Sequence, residues 1–216
     1  MLIYPPRVDS FDIRLLKMHR DAADLVGELS IDSVLERIPS IALKRTAANY
    51  AAVCTLDEHG KIDRFVTAGM PRAHVEQMAH PPRGEGLIKA LMDTRSTIRV
   101  SNISRDSRHS GFPPSHPMMT SFLGVPILQG KRLIGILFMT DRVNAPEFTE
   151  EDQLLAEILA RYAAVAIVNA RLFRDYATRD RALTRQNENL SLLNQLASTL
   201  ATGTEINEIL DRKSVV

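Results

Sequence analysis

The stretch FLGVPILQGKRLIGILFMTDR, Phe122 to Arg142, decides the fold of this 216-residue chain. Two apolar runs flank Gln129-Gly130, and this reads as a tight hairpin because glycine accepts the positive φ that short turns demand. In the second run Ile134, Ile136 and Phe138 share one face, and Leu133, Leu137 and Met139 share the other. A strand that is apolar on both faces is covered on both. The pattern therefore predicts helices on one side of the sheet and a pocket, or the loops that close one, on the other.

Working outward, FTEEDQLLAEILARYAAVAIVNARLF, Phe148 to Phe173, opens with Thr149 and Asp152 at capping-box spacing and continues as a long helix. From Leu155 a strict 3-4 seam passes through Ile158, Tyr162, Val165, Asn169, Leu172 and Tyr176, and on to Leu193, Ala197 and Leu200. That spacing predicts a coiled coil, above all after Phe173, where no sheet remains to bury the stripe, while the first half is expected to pack on the chain's own sheet; Asn169, Arg179 and Gln186 are polar positions that fix register at a cost in stability. Upstream of the hairpin, two helical patterns precede a first hairpin around Asp57 to Gly60, and Ser30 or Asp32 is placed to cap the second of them. PPRGEGLIKALMDTR reads as a loop and short helix, and STIRVSNI as a short strand. An irregular loop of roughly Ser104 to Met119 follows, a length at which loops are usually functional or disordered.

Composition narrows the function. The chain is 44% apolar and 25% charged with a net charge of +1, an ordinary globular mix with no electrostatic reason to bind nucleic acid or a membrane surface. One cysteine, Cys54, excludes an internal disulfide and a multi-cysteine zinc site, and suits a reducing cytoplasm. No run of 18 apolar residues predicts a membrane span, and the start lacks the pattern of a signal peptide. His74 and His80 are six apart, which does not fit a helical zinc pair. No nucleophile-base pair or Gly-rich phosphate loop stands out, although Gly84-Glu85-Gly86 before a helix is a place where an anion could sit. The chain itself is expected to have no catalytic activity.

The order of elements, with FLGVPI, LIGILFMTD and the Phe148 to Phe173 helix, resembles a GAF domain, a small-molecule-sensing module of signalling proteins. The resemblance spans roughly Ser30 to Phe173. It implies an α+β fold: an antiparallel sheet of five or six strands, helices on one face, a ligand pocket on the other, and a long C-terminal signalling helix. The expected organisation is a helical lead-in over 1–29, the GAF domain over 30–173, a coiled-coil helix over 174–200, and the start of a further domain over 201–216. LVGELSIDSVLERI resembles LASTLATGTEINEIL, which suggests a second copy beginning there. Asp211 to Val216 back-translate to a string like a sequencing adapter, so these six residues are expected to be foreign and the parent protein longer.

The segment GFPPSHPMMTSFLGVP is most similar to the haem-binding GAF domains of DevS/DosT-like sensor histidine kinases. By that resemblance His116 is the proximal ligand of haem b; haem also needs an apolar slot, and Phe112, Met118, Leu123, Ile136 and Phe138 are the apolar residues that could wall it. Phe138 takes the distal position, where those relatives carry a tyrosine that donates to a bound gas; the family's gas selectivity is therefore not carried over. Read from the residues alone, His116 is equally an ordinary loop histidine. Covalent bilin is disfavoured, because the position before His116 is Ser115 rather than cysteine, and TDRVNAPEFTEED does not match the cyclic-nucleotide motif of phosphodiesterase GAF domains. GAF-fold methionine sulfoxide reductases rely on several cysteines, and this chain has one. The expected function is a cytoplasmic sensory domain for a gas or other small molecule. It is expected to form a parallel homodimer and to be joined to an output domain such as a histidine kinase or diguanylate cyclase. The alternative is a GAF module that only dimerises and spaces its neighbours.

Overall fold

A computed structural model describes residues 10–71, 84–111 and 117–213, with side chains to residue 198. Helix α1 (Ser10–Val26) precedes α2 (Ile31–Thr46). The Ser30 hydroxyl accepts from the Ser33 amide at 3.3 Å and so caps α2, a role for which Asp32 was the alternative. Strands β1 (Ala48–Leu56) and β2 (Ile62–Ala68) form the first hairpin. Helix α3 (Gly86–Thr94), β3 (Ile98–Val100) and a 3₁₀ turn (Ile103–Arg105) lead into the long loop. The deciding hairpin, β4 (Phe122–Gln129) and β5 (Arg132–Arg142), then passes to α4 (Glu150–Lys213). The five strands pair antiparallel in the order β2-β1-β5-β4-β3, within the range the sequence predicts.

One face of the sheet carries α1, α2 and the first half of α4. Val53, Leu123, Val125, Leu137 and Met139 meet Leu25, Leu35, Ile38, Leu155, Leu159 and Ile167 in a single buried core. Ala156, Ala160, Ala163, Ala166 and Ala170 keep the buried side of α4 thin, so its backbone can lie close to the strands. The reciprocal capping box is present at the head of α4. The Thr149 amide donates to Asp152 Oδ2 at 3.0 Å, and the Asp152 amide donates to Thr149 Oγ1 at 3.2 Å.

Two expectations need correction. Ile134 lies in the helix-side core with Leu137 and Met139, not with Ile136 and Phe138. The cause is a bulge: Ile127 pairs with Gly135 but Leu128 pairs with Leu133, so Ile134 is an extra residue that changes faces. Asn169 was read as a seam position, but its side chain donates to the Val26 carbonyl at 3.4 Å, at the end of α1. Leu155 is fully buried on the sheet, and Ile158 and Tyr162 pack against the same core, so the early part of the seam serves the domain's own packing.

From Leu172 onward the far part of α4 forms a separate compact unit. Within it Leu172, Tyr176, Leu183, Leu190 and Leu193 are all exposed. The helix segment Glu150–Ser198 contains a window of mean hydropathy 1.3, long and apolar enough by composition to cross a membrane, where the sequence reading expected none; half of that window is buried inside the protein.

Candidate functional site

The face of the sheet opposite the helices is also apolar, and strand register decides what stands on it. Tyr50, Ala52 and Cys54 alternate along β1; Phe65 lies opposite Cys54, and Phe138 lies opposite both Ala52 and Gly124. Because β1 offers only an alanine and a thiol there, the rings of Phe65 on β2 and Phe138 on β5 meet across it, with centroids 6.4 Å apart and planes 14° apart. On its other side Phe138 stacks with Phe122 at 6.0 Å and 24°. A row of three phenyl rings thus crosses the sheet, each contact of the kind that adds to plain area burial.

The two ends of this row differ. At the β3-β4 end, Leu87 and Leu91 of α3 close over Ile98, Val100, Phe122 and Ile136, joined by Ile103 and Met119. A Cβ on Gly124 would collide with the Leu91 side chain and stand 2.8 Å from the Phe122 ring, so α3 rests directly on β4. At the β1-β2 end, Tyr50, Phe65, Thr67, Met70 and Phe138 are only partly buried. The β3-β4 end is packed core, and the side chains of the β1-β2 end are left partly exposed.

Of the sequence-predicted site residues, Ile136 and Phe138 stand on this face. Leu123 does not: it is fully buried in the helix-side core, because the period-two alternation of β4 sends it opposite to Phe122. Met118 is 79% exposed and its neighbour Met119 is the buried methionine, 7% exposed, so the expected wall shifts by one residue. His116 and Phe112 lie outside the described residues, as do His74 and His80. Tyr50, Phe65 and Leu91 escaped the sequence reading. The first two were findable by carrying the alternation of Phe138 across β1 to β2; Leu91 needed the position of α3.

The loop between the 3₁₀ turn and β4 is held by contacts at both described ends. Early in it, the Arg108 side chain forms a hydrogen-bonded ion pair with Asp106 at 2.7 Å, and that bond holds the Asp106 carboxyl down at about 2. The missing Cβ of Gly86 leaves space for this turn, since a Cβ would stand 2.7 Å from Ser110 Oγ. The Gly84-Gly86 turn is therefore packed against 108–110, which accounts for its glycine. At the far end, Asp141 takes a left-handed backbone (φ 55°) and its carboxylate accepts from the Thr120 amide at 2.6 Å. The Asp141 amide donates to the Ser121 carbonyl at 3.0 Å, and Thr140 Oγ1 donates to the Met119 sulfur at 3.2 Å.

Arg142, the next residue, turns to the other side of the molecule. Its Nε donates to Asp152 Oδ2 at 2.6 Å, and Arg14 of α1 pairs with the other carboxylate oxygen. Arg14 also donates to the Arg45 carbonyl at the end of α2, at 2.9 Å. The Asp152 carboxylate is fully buried. Burial pushes its pKa up, but the Thr149 amide, Arg14 and Arg142 outweigh that and hold it below the usual range. One buried carboxylate thus joins α1, the end of β5 and the head of α4. Cys54, buried in β1, is pushed up to about 12 by desolvation and so is a thiol at neutral pH. Among the described residues no cluster of three His, Cys, Asp or Glu side chains is placed to hold a metal ion.

The GAF domain family model matches residues 28–168, and the chain belongs to that family. Among solved structures it is similar to the GAF domain of a phosphoenolpyruvate-protein phosphotransferase from Coxiella burnetii, with TM-score 0.65 and 20% identity, covering 76% of this chain and 98% of that one. It is also similar to free methionine-R-sulfoxide reductase from Neisseria meningitidis, solved with its substrate, with TM-score 0.62, 14% identity, and coverage of 79% and 98%. Among curated proteins it is 25% identical over 93 residues to the mouse cone cGMP-specific 3',5'-cyclic phosphodiesterase subunit alpha'. That match covers 42% of this chain and spans 10% of the phosphodiesterase. The chain is thus a GAF domain of the kind found in signalling proteins.

Proposed function

We propose that this GAF domain is the cytoplasmic sensory input of a larger signalling protein, and that it holds a flat, apolar small molecule at the partly exposed aromatic end of the sheet face opposite α1, α2 and α4. One observation carries the reading: Tyr50, Phe65 and Phe138 stand side by side on that face, only partly buried, beside the closed core under α3. A planar ligand would gain stacking and apolar burial there. Haem b fits the chemistry of these walls, with His116 as the proposed axial ligand and Phe138 offering no hydrogen bond to a gas. In that form the domain responds to redox state or a diatomic gas and signals through a parallel homodimer to an output domain such as a histidine kinase. It is regulatory rather than catalytic: the only thiol, Cys54, is buried and protonated.

The test is reconstitution with haem b, followed by its absorption spectrum. A Soret band that His116→Ala abolishes supports the reading. Phe138→Tyr, by adding a donor, should slow the conversion of the reduced, haem-loaded protein to its ferric spectrum in air. A folded, colourless protein that takes up no haem removes the haem assignment and leaves another planar ligand or a purely dimerising module.

A further inference from the structure

The far part of α4 shows where a second chain belongs. From 172 to 198 every side chain but Ala177 is exposed. Leu172, Tyr176, Leu183, Leu190 and Leu193 are each at least half exposed, and they repeat with a period of 3.5 residues. A straight α-helix, at 3.6 residues per turn, lets such a stripe drift around its surface; a left-handed supercoil against a helix of the same period keeps it buried. This chain supplies one such helix, and a two-fold pair of copies is self-complementary.

The charges select the alignment. With Leu172, Arg179, Gln186 and Leu193 at d, the a positions are Tyr176, Leu183, Leu190 and Ala197, and Asp180 is at e. In a parallel, in-register pair a d side chain sits among the partner's flanking a residues, its d residue and its e residue. Arg179 would then lie among the partner's Tyr176, Arg179, Asp180 and Leu183. Two guanidinium groups share that layer with two flanking Asp180 carboxylates; Asp175, at g, lies opposite the partner's Asp180, and its charge is offset by Arg174 of its own chain. An antiparallel pair sets e against e, and the e positions Phe173, Asp180, Asn187 and Asn194 include no cation. Within the chain neither the Arg179 guanidinium nor the Asp180 carboxylate has a hydrogen-bond or ion-pair partner among the described residues. The neighbouring Arg174 and Asp175 pair with each other at 3.8 Å.

We propose that residues 172–198 form a parallel, in-register coiled coil with a second copy of the chain, and that reciprocal Arg179–Asp180 ion pairs across the seam fix its register. This rests on the homodimer of the proposed function and adds its geometry. The test measures the dimer dissociation constant of the full chain by sedimentation, together with disulfide formation between cysteines placed at a positions. Arg179→Asp and Asp180→Arg should each weaken the dimer roughly ten- to thirtyfold, by losing two ion pairs and gaining like-charge contacts. The double exchange should return it to within about threefold of wild type. Leu183→Cys should cross-link to its own copy and, when mixed with Leu190→Cys chains, form no 183–190 link. Arg179→Leu should tighten the dimer and allow that shifted link to appear, because the register-fixing layer is gone. A dimer that neither charge reversal weakens, or a 183–190 link between Leu183→Cys and Leu190→Cys chains that keep Arg179 and Asp180, overturns the register assignment while leaving the homodimer intact. A wild-type chain that stays monomeric at about a hundred micromolar overturns both, a concentration well above what specific pairs of this kind need.

Discussion

Replacing Asp152 by asparagine tests the junction between the sheet and its exit helix. Asparagine keeps the size of the side chain and can still accept from the Thr149 amide through its one oxygen, so the change removes the charge and turns the oxygen that faces Arg14 into a donor. The variant leaves Arg14 and Arg142 facing a neutral amide in a place where the carboxylate was fully buried. Removing one partner of a fully buried ion pair costs about 3–5 kcal/mol. Here the two arginine side chains remain 28% and 19% exposed, so water recovers part of their solvation and the expected loss is about 2–3 kcal/mol. With a urea slope of about 2–3 kcal/mol/M for a domain of this size, the unfolding midpoint should fall by about 1 M. The measurement is urea unfolding followed by far-ultraviolet circular dichroism.

The pH dependence supplies the stricter check. Asp152 is held below its ordinary pKa in the folded protein. A depressed carboxyl contributes stability that is fully present above the unfolded value, about 3.9, and is lost as pH falls through the folded value. The gap between wild type and Asp152→Asn should therefore be constant from pH 7 to about pH 5 and narrow as the pH falls below about 4. Other acidic groups, such as Asp106 with its own depressed pKa, titrate equally in both proteins and cancel in the difference. A gap below about 0.5 kcal/mol at pH 7, or one that stays constant down to pH 3, would refute the assignment of Asp152 as a stabilising buried anion.

Three further perturbations address the sheet face that carries α3 and the loop before β4. Gly124→Ala drives a methyl group into Leu91 and the Phe122 ring and should cost about 1–3 kcal/mol of stability, with loss of the near-ultraviolet aromatic signal. Asp141→Ala removes the carboxylate that holds the Thr120 amide and leaves a β-carbon at φ 55°, so it should cost about 1–2 kcal/mol, whereas Asp141→Gly, free of that backbone cost, should be less damaging by up to about 1 kcal/mol. Cys54, buried and held as the thiol, should be inert to a disulfide reagent at pH 8 in the folded protein and react at once in urea; rapid reaction without denaturant would contradict its burial.

Much of the fold was legible because its signals are local. The two-sided apolar hairpin, the capping box of Thr149 and Asp152 and the cap at Ser30 each follow from adjacent residues and appear as read. Alternation alone would also have separated Leu123 from Phe122, and the error there was to group wall residues by hydrophobicity rather than by parity. Ile134 was harder: a bulge inserts one residue, and parity counted from the strand's start then fails beyond it. The seam through Leu155, Tyr162 and Asn169 has unbroken spacing, and the sequence assigns its first half to the sheet because no strand remains beyond Phe173 to bury the rest; the sheet and α1 do claim that half. Spacing alone does not show which group each seam residue meets, as Asn169 on the Val26 carbonyl illustrates. The Arg14-Asp152-Arg142 cluster was invisible for the same reason, since its members are separated by 138 and 10 residues and meet only when α1 lies beside the sheet's exit.

The placement of Asp141 and Arg142 gives the short end of β5 two attachments in consecutive residues. Asp141 holds the end of the loop that precedes β4, through the Thr120 amide, and its left-handed backbone takes it off the strand's regular course. Arg142 holds the buried carboxylate at the head of α4, and through it the arginine of α1 that also binds the end of α2. Neither attachment is long or solvent-filled: the contacts at this step are 2.6 Å hydrogen bonds to charged groups, and such bonds are among the strongest the chain makes. A displacement of Thr120 that keeps its bond to Asp141 has to be absorbed at the left-handed turn or passed to Arg142. Asp152 is fully buried and accepts from both arginines and from Thr149, so at that end the geometry allows little slack. The stability cost expected for Asp152→Asn and the smaller cost expected for Asp141→Ala follow the same order as the burial of the two carboxylates, since Asp141 keeps water on one side and Asp152 has none.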